Sequence, residues 1–264
     1  MNTALANVGL PTNLSFDPRI ALTRDSLGAM LATVVVALEP RIPIAFVNVS
    51  PGGLPFPSFL HSPAFSELVT GVLITPLDID SRIILGDPVA DVRFDPMVML
   101  LDNVIEAGDP QSFAPYLLAG ELRGGDRPHF ALNEAWEDEW VPNIATEGLA
   151  AAMDLPFFRL NLSEPPPVDP WLRFVTLPEV AGPSVAGNLD SGGQTAAFIL
   201  WHPATHGLSY WYEDVLKMEP GFPPFVMRPS ATRLNNPTLE IQTMRASFFA
   251  DFFADLTPAL VDPY

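Results

Sequence analysis

The chain has 264 residues, of which 48% are hydrophobic and 10% aromatic, enough for one large domain with a buried core. Its 31 acidic residues against 13 basic ones give a net charge of −18, which disfavours binding to nucleic acid or to an anionic lipid surface. It has no cysteine, so disulfides, thiolate metal sites and cysteine nucleophiles are excluded.

Four short apolar segments predict buried parallel strands, because none of them alternates polar and apolar residues. They are Ile20–Thr23, Ala45–Val49, His129–Asn133 and Ala196–Trp201. Helical segments are predicted at Leu27–Leu38, Ile144–Met153 and Leu239–Leu256. This alternation of strands and helices predicts an α/β fold with a mostly parallel sheet and right-handed crossovers.

The segment from Leu54 to Asp126 has a different character. It holds many prolines and scattered acids and shows no regular strand or helix period. We interpret residues 54–126 as a cap or lid insertion, helical in part, within a single domain that spans residues 1–264.

Ser26 occupies a polar turn between the first predicted strand and the first predicted helix. Strand, tight turn with a serine, then helix is the context in which the pattern G-x-S-x-G raises a serine hydroxyl above a sheet. Here the five residues read Arg24-Asp25-Ser26-Leu27-Gly28, so the first glycine is replaced. The alternative is that Ser26 only caps the helix that starts at Leu27.

A serine nucleophile needs a base that removes its proton. Of the four histidines, His206 lies in a loop after the last predicted strand, which suits an exposed base. His202, directly at the end of that strand, is its competitor. His129 starts a predicted strand and His61 lies in the 54–126 segment, which makes both weaker candidates.

The base in turn needs a carboxylate that orients it. Several acids follow the third predicted strand: Glu134, Glu137, Asp138 and Glu139. Asp138 stands in Asp138-Glu-Trp-Val-Pro-Asn143, which leads into the next predicted helix. An acid in this loop is well placed to reach a histidine on the loop after the neighbouring strand.

These residues resemble the α/β-hydrolase family over the region from about Phe16 to the C-terminal helix. The order Ser26, Asp138, His206 is the order of that family, and the acid loop is similar to its recurrent D-x-x-V-P pattern. The segment from Phe16 to Gly28 resembles the family's nucleophile turn with its D-P-x-R-I lead-in, and Asn48-Val-Ser-Pro-Gly-Gly53 resembles the strand that follows. More narrowly, the chain is similar to bacterial secreted lipase- and esterase-like proteins with a cap between the sixth and seventh strands.

The resemblance implies a serine hydrolase of carboxylic esters. Ser26 would be the nucleophile, Asp138 the orienting acid and His206 the general base, and the N–H of Leu27 would supply half of the oxyanion hole. It implies a small-molecule ester as substrate and neither a metal nor an organic cofactor. An acyltransferase that uses the same three residues is a further alternative.

Two departures from the family lead to an alternative function. Arg24 stands where the family has glycine, so we expect an energetic cost or a displaced turn. The family also has several strands before this turn, which we do not find here; their lack would leave Ile20–Thr23 as an apolar sheet edge. The alternative is therefore a non-catalytic or truncated hydrolase-like binding or assembly module, with homo-oligomerisation through that edge.

The sequence leaves the cellular location open. Residues Met1–Leu14 lack the basic and apolar regions of a signal peptide, and no apolar run reaches the roughly 18 residues of a membrane span. The chain as it stands is expected to be cytoplasmic, whereas the resemblance implies export.

Overall fold

The computed structural model describes residues 18–54, 62, 96–136, 138, 140–162, 177–189, 193–208 and 237–264. The strands are β1 (Ala21–Asp25), β2 (Ile44–Asn48), β3 (His129–Ala135), β4 (Phe157–Phe158), β5 (Glu179–Val180), β6 (Ser184–Ala186), β7 (Ala196–Trp201) and β8 (Ala259–Val261). The α-helices are α1 (Leu27–Leu38), α2 (Pro96–Ile105), α3 (Pro110–Leu117), α4 (Asn143–Ala152) and α5 (Thr238–Phe253), and short 3₁₀ turns cover Glu106–Gly108 and Glu121–Arg123. Among these described helices, none combines the length and apolarity needed to cross a bilayer.

A six-stranded sheet organises the fold, in the order β1-β2-β3-β7-β4-β5 with every pair parallel. A separate antiparallel pair joins β6 to β8. The predicted α/β fold with a mostly parallel sheet is therefore confirmed. Its central strands carry apolar residues on both faces because both faces are covered by helices.

The two faces of the sheet support two apolar layers. Ala45 and Val47 of β2 point to one side, into a cluster with residues of α1, α3 and α4. Ile44 and Phe46 alternate with them and pack with α5 on the other side. The α5 residues in that second cluster are Ile241, Met244 and Phe248.

The predicted long elements agree with the structure to within three residues at either end. The helix Leu27–Leu38 and the strand Ala196–Trp201 are reproduced in full. The strands β4, β5, β6 and β8 have only two or three residues each, too few to produce a period in the sequence. The strands β4 and β5 extend the main sheet beyond β7, whereas β6 and β8 pair only with each other.

The described end of the 54–126 segment belongs to the core. Ala114 and Leu117 of α3 are fully buried in the cluster that contains α1. Asp109 caps α3 through the N–H of Gln111 at 2.8 Å and accepts the N–H of Gly53 at 3.1 Å, which ties α3 to the loop after β2. Residues 55–61 and 63–95 lie outside the described part, so the cap stays a prediction for them.

His129, the first residue of β3, is packed as a core histidine. Its Nδ1 accepts the N–H of Thr195 at 3.0 Å, and its ring lies edge-on to Phe248 and Phe252. Burial lowers the pKa of His129 from 6.5 to about 4. The unfolded chain therefore takes up this proton first as the pH falls, and the folded state loses stability between pH 6.5 and about 4.

The substitution His129→Gln tests this coupling. Glutamine keeps an acceptor for Thr195 but does not titrate, so the variant should lose less unfolding free energy than the wild type between neutral pH and pH 4. Urea unfolding of both proteins at several pH values measures the difference. Parallel pH profiles would show that His129 does not contribute.

Candidate active site

Ser26 forms a strained turn between β1 and α1. Its backbone angles are φ 54° and ψ −128°, a left-handed φ that is uncommon for a residue other than glycine. Its N–H donates to the carbonyl of Asn48 at 3.0 Å, and its carbonyl accepts the N–H of Met30 in the first turn of α1. The side chain of Ser26 makes no capping hydrogen bond to the helix, so the capping alternative finds no support.

Arg24 is accommodated without loss of this turn. A Cβ built on Gly28 would lie 3.3 Å from Cδ and 3.5 Å from Cβ of Arg24, so the arginine stem occupies the space above the glycine. The guanidinium continues to the sheet edge, where Nη1 donates to the carbonyl of Thr23 at 2.9 Å. Because Gly28 has no side chain, it leaves room for the stem of Arg24, which stands where the pattern has its first glycine.

Asp138 and His206 form a direct pair. Nδ1 of His206 lies 2.8 Å from Oδ1 and 2.9 Å from Oδ2 of Asp138. The Asp138 side chain is 1% exposed and that of His206 is 17% exposed. Oδ1 also accepts the N–H groups of Trp140 and Val141, at 2.8 and 2.7 Å, so the loop after β3 wraps around this carboxylate.

The sheet register places Ser26 at the same edge as this pair. Asp25, the last residue of β1, is level with Asn48 of β2, and Asn48 is level with Asn133 of β3. Because the strands are parallel, the loops after β1, β3 and β7 all leave the sheet at its carboxyl edge. These loops carry Ser26, Asp138 and His206 respectively.

The ring of Trp140 lies beside the ring of His206. Its ring centroid lies 6.1 Å from that of His206, with the planes tilted by 40°. Its carbonyl accepts the hydroxyl of Ser62 at 2.6 Å, which fastens the acid loop to one point of the 54–126 segment. The sequence analysis did not single out Trp140, although it stands inside the acid motif.

A polar row runs beneath these loops. Nδ2 of Asn48 donates to Oδ1 of Asp25 at 2.6 Å, and Nε1 of Trp201 donates to Oδ1 of Asn133 at 2.9 Å. Asn133 also donates to the carbonyl of Val47 at 3.1 Å. Such buried hydrogen bonds fix the strand ends that carry the loops. An asparagine that ends an otherwise apolar strand is the sequence signal that could have revealed this row.

The remaining candidates divide into described and undescribed residues. His202 lies at the end of β7, half-buried, and Glu134 lies within β3 and is buried. His61, Glu137 and Glu139 fall outside the described residues. The described part of the chain contains no group of three or more histidine or acidic side chains suited to holding a metal ion.

Comparisons with known proteins add little to this geometry. Neither the protein-family models nor the curated proteins searched show a match. Among solved structures, the acylaminoacyl peptidase of Pyrococcus horikoshii is similar with a TM-score of 0.37 and 13% identity, over 94% of this chain and 24% of that one. The chain thus spans about a quarter of the length of this structural neighbour. A likeness at this level assigns neither a family nor an activity.

The contact between Arg24 and Gly28 predicts a coupling in stability. In an Arg24→Ala background, Gly28→Ala should stabilise the protein by up to about 1 kcal/mol, the helix preference of alanine over glycine. With Arg24 present, the new Cβ would meet the arginine stem at 3.3 Å, so the gain should shrink or reverse. Denaturant unfolding of the four proteins gives the coupling, which we expect to be about 0.5–1 kcal/mol. Additive effects would contradict the contact.

Proposed function

We propose that this chain is a serine hydrolase that cleaves carboxylic esters through an acyl-enzyme. Ser26 is the nucleophile, His206 the general base and Asp138 the group that orients the base. The observation that carries the proposal is the hydrogen bond of 2.8 Å between Asp138 and His206, at the sheet edge where Ser26 occupies a strained turn. Backbone strain of this kind concentrates at functional sites. A serine that only caps a helix has ordinary extended backbone angles and does not need this strain.

Each group has a defined part in the reaction. Oγ of Ser26 attacks the ester carbonyl while Nε2 of His206 takes the serine proton. Collapse of the tetrahedral intermediate breaks the bond to the alcohol, which leaves with that proton. Water then attacks the acyl-enzyme with His206 again as base, and the carboxylic acid departs as Ser26 is restored. Asp138 holds Nδ1–H of His206, so that Nε2 faces the serine and the imidazolium is stabilised.

The start of α1 supports the developing oxyanion. Leu27 is the first residue of α1, and the first N–H groups of a helix have no partner within it. These N–H groups and the positive end of the helix dipole suit a negatively charged oxygen beside Ser26. We assign one oxyanion donor to the N–H of Leu27.

The net charge of the chain affects which charge of substrate it binds. A net charge of −18 repels anionic molecules, so neutral esters are favoured over charged ones. Apolar residues of the 54–126 segment are proposed to bind the acyl or alcohol part. Ser62 connects that segment to the acid loop through the carbonyl of Trp140.

A non-catalytic binding or assembly module is the second candidate function. It is favoured by the position of β1 at the end of the described sheet and by the exposed apolar side chains around it. A module of this kind would keep the pair of Asp138 and His206 but hydrolyse no ester. Activity measurements on single-residue variants separate the two functions.

The proposal predicts how three substitutions act on the hydrolysis of p-nitrophenyl esters. Ser26→Ala and His206→Ala should each lower kcat by on the order of 10⁴-fold or more, and Asp138→Asn by about 10³–10⁴-fold, because the histidine tautomer is lost. His202→Ala is the matched control, since it removes the other histidine at the end of β7 and should change kcat by only a few fold.

The same series contains the results that would contradict the proposal. Unchanged turnover in purified Ser26→Ala would exclude Ser26 as nucleophile. A large loss in His202→Ala with none in His206→Ala would move the base to His202. No turnover in a folded wild-type protein over esters of graded length would favour the non-catalytic module.

A further inference from the structure

Two strained residues follow neighbouring strands at the carboxyl edge of the sheet. Ser26, directly after β1, has φ 54°, and Val49, directly after β2, has φ 48°. A left-handed φ is unfavourable for any residue but glycine and is a true outlier for a β-branched valine. The two other non-glycine residues with such a φ in the described ranges, Asp154 and Asp255, follow the ends of α4 and α5, where left-handed residues are common. The strain at the strand ends therefore calls for another explanation.

One peptide group connects the two strained residues. The carbonyl of Asn48 accepts the N–H of Ser26 at 3.0 Å. The N–H of Val49, which belongs to the same peptide group, donates to the carbonyl of Asn133 at 2.7 Å. The side chain of Val49 is 1% exposed and packs in the apolar layer that contains α5. The strained angle of Val49 is thus held by β3 and by burial, and the carbonyl of Asn48 stays fixed against the N–H of Ser26.

The side chain of Asn48 holds the residue before Ser26. Asn48 is fully buried, and its Nδ2 donates to Oδ1 of Asp25 at 2.6 Å. A carboxylate only accepts hydrogen bonds, so the amide nitrogen of Asn48 must be the atom that faces Asp25. Hydrogen bonds to a carboxylate are short and stronger than those between neutral groups. Asn48 therefore contacts the turn twice, at Asp25 through its side chain and at Ser26 through its carbonyl.

The backbone of this turn decides where the serine hydroxyl points. The side chain of Ser26 makes no capping hydrogen bond to α1, so the direction of its Cα–Cβ bond follows from φ and ψ. A reacting atom that is misplaced by about 1 Å can lower a rate by on the order of 10²-fold. A residue that fixes these angles can thus control the rate without touching the substrate.

We propose that Asn48 is a positioning residue for the nucleophile, whose two hydrogen bonds to the turn keep Oγ of Ser26 directed at the ester carbonyl. This role rests on the proposed function, because only a nucleophile needs such a direction. Asn48 takes part in no bond making and moves no proton. Substrate binding does not depend on it, so its loss should lower kcat and leave KM nearly unchanged.

An exchange of the two side chains tests this role with p-nitrophenyl esters. Asn48→Asp sets a second carboxylate against Asp25, and because like charges repel, kcat should fall by about 10- to 100-fold while KM changes little. Adding Asp25→Asn restores the hydrogen bond with donor and acceptor exchanged, so the double variant should recover most of the lost kcat. A merely structural hydrogen bond would change stability in these variants but not kcat.

Asn161→Asp is the matched control. Nδ2 of Asn161 donates to Oδ2 of Asp262 at 2.8 Å, which is the same kind of contact. It follows β4, which is separated from β1 by three strands of the sheet. This variant should lose stability in urea unfolding and keep kcat within a few fold of the wild type.

A second variant covers the case in which Asn48→Asp does not fold. Asp25→Ala removes the acceptor at a half-buried position and adds no charge. It should lower kcat, and the rate at which a fluorophosphonate labels Ser26, by about 10-fold each. Circular dichroism verifies that every variant is folded.

The outcomes separate this role from the proposed function. An active wild type whose kcat survives Asn48→Asp or Asp25→Ala would overturn the role of Asn48 and leave the hydrolase proposal intact. So would a folded double variant that stays as slow as Asn48→Asp, or an equal loss of kcat in Asn161→Asp. A folded wild type with neither turnover nor labelling would overturn both.

Discussion

The parallel pairing of β1, β2, β3 and β7 is the constraint on which the rest of the structure depends. These strands begin at residues 21, 44, 129 and 196, so the residues that follow them are far apart in the chain. In-register parallel pairing brings their carboxyl ends to one edge. The hydrogen bonds of Asp25, Asn48 and Asn133 then fix the strand ends from which the loops depart. The pair of Asp138 and His206 is a consequence of this register.

The turn at Ser26 tolerates a departure from the pattern G-x-S-x-G, namely Arg24 in place of the first glycine. A long side chain at position 24 would disrupt the turn if it pointed into the helix. Instead its stem passes over Gly28, and its charged end satisfies a carbonyl at the sheet edge. The side chain of Arg24 thus fills the space above Gly28 and places a charge on the edge strand β1, which opposes the addition of another strand. The strained backbone of Ser26 is kept because hydrogen bonds to β2 and to α1 hold it on both sides.

The sequence predicts the long elements well because each buries apolar residues with a clear pattern. The strands β2 and β7 are fully buried, so their apolar runs leave little ambiguity. The strands β4 and β5 have two residues each and exist only through their neighbours, which no local pattern records. The core role of α3 is hidden for a similar reason, because the proline-rich segment around it masks the buried Ala114 and Leu117.

The candidate site is predicted in part. The sequence order places Ser26, Asp138 and His206 on loops after strands, and the structure brings the last two into contact. The sequence alone cannot predict that Trp140 lies beside His206, or that Arg24 folds over Gly28, since both depend on side-chain directions in three dimensions. The exposure of Leu27, Leu31, Val35 and Leu38 on α1 is equally hidden, because an apolar helix without charged residues gives no sign of which face it exposes.

The most direct test of the central claim, that Asp138 and His206 make Ser26 a nucleophile, is labelling of the purified chain with a fluorophosphonate. Such probes modify only an activated serine, and mass spectrometry identifies the modified residue. Our account predicts a single adduct on Ser26 that disappears in His206→Ala while the protein stays folded. An adduct on another serine, or none on a folded wild-type chain, would contradict it.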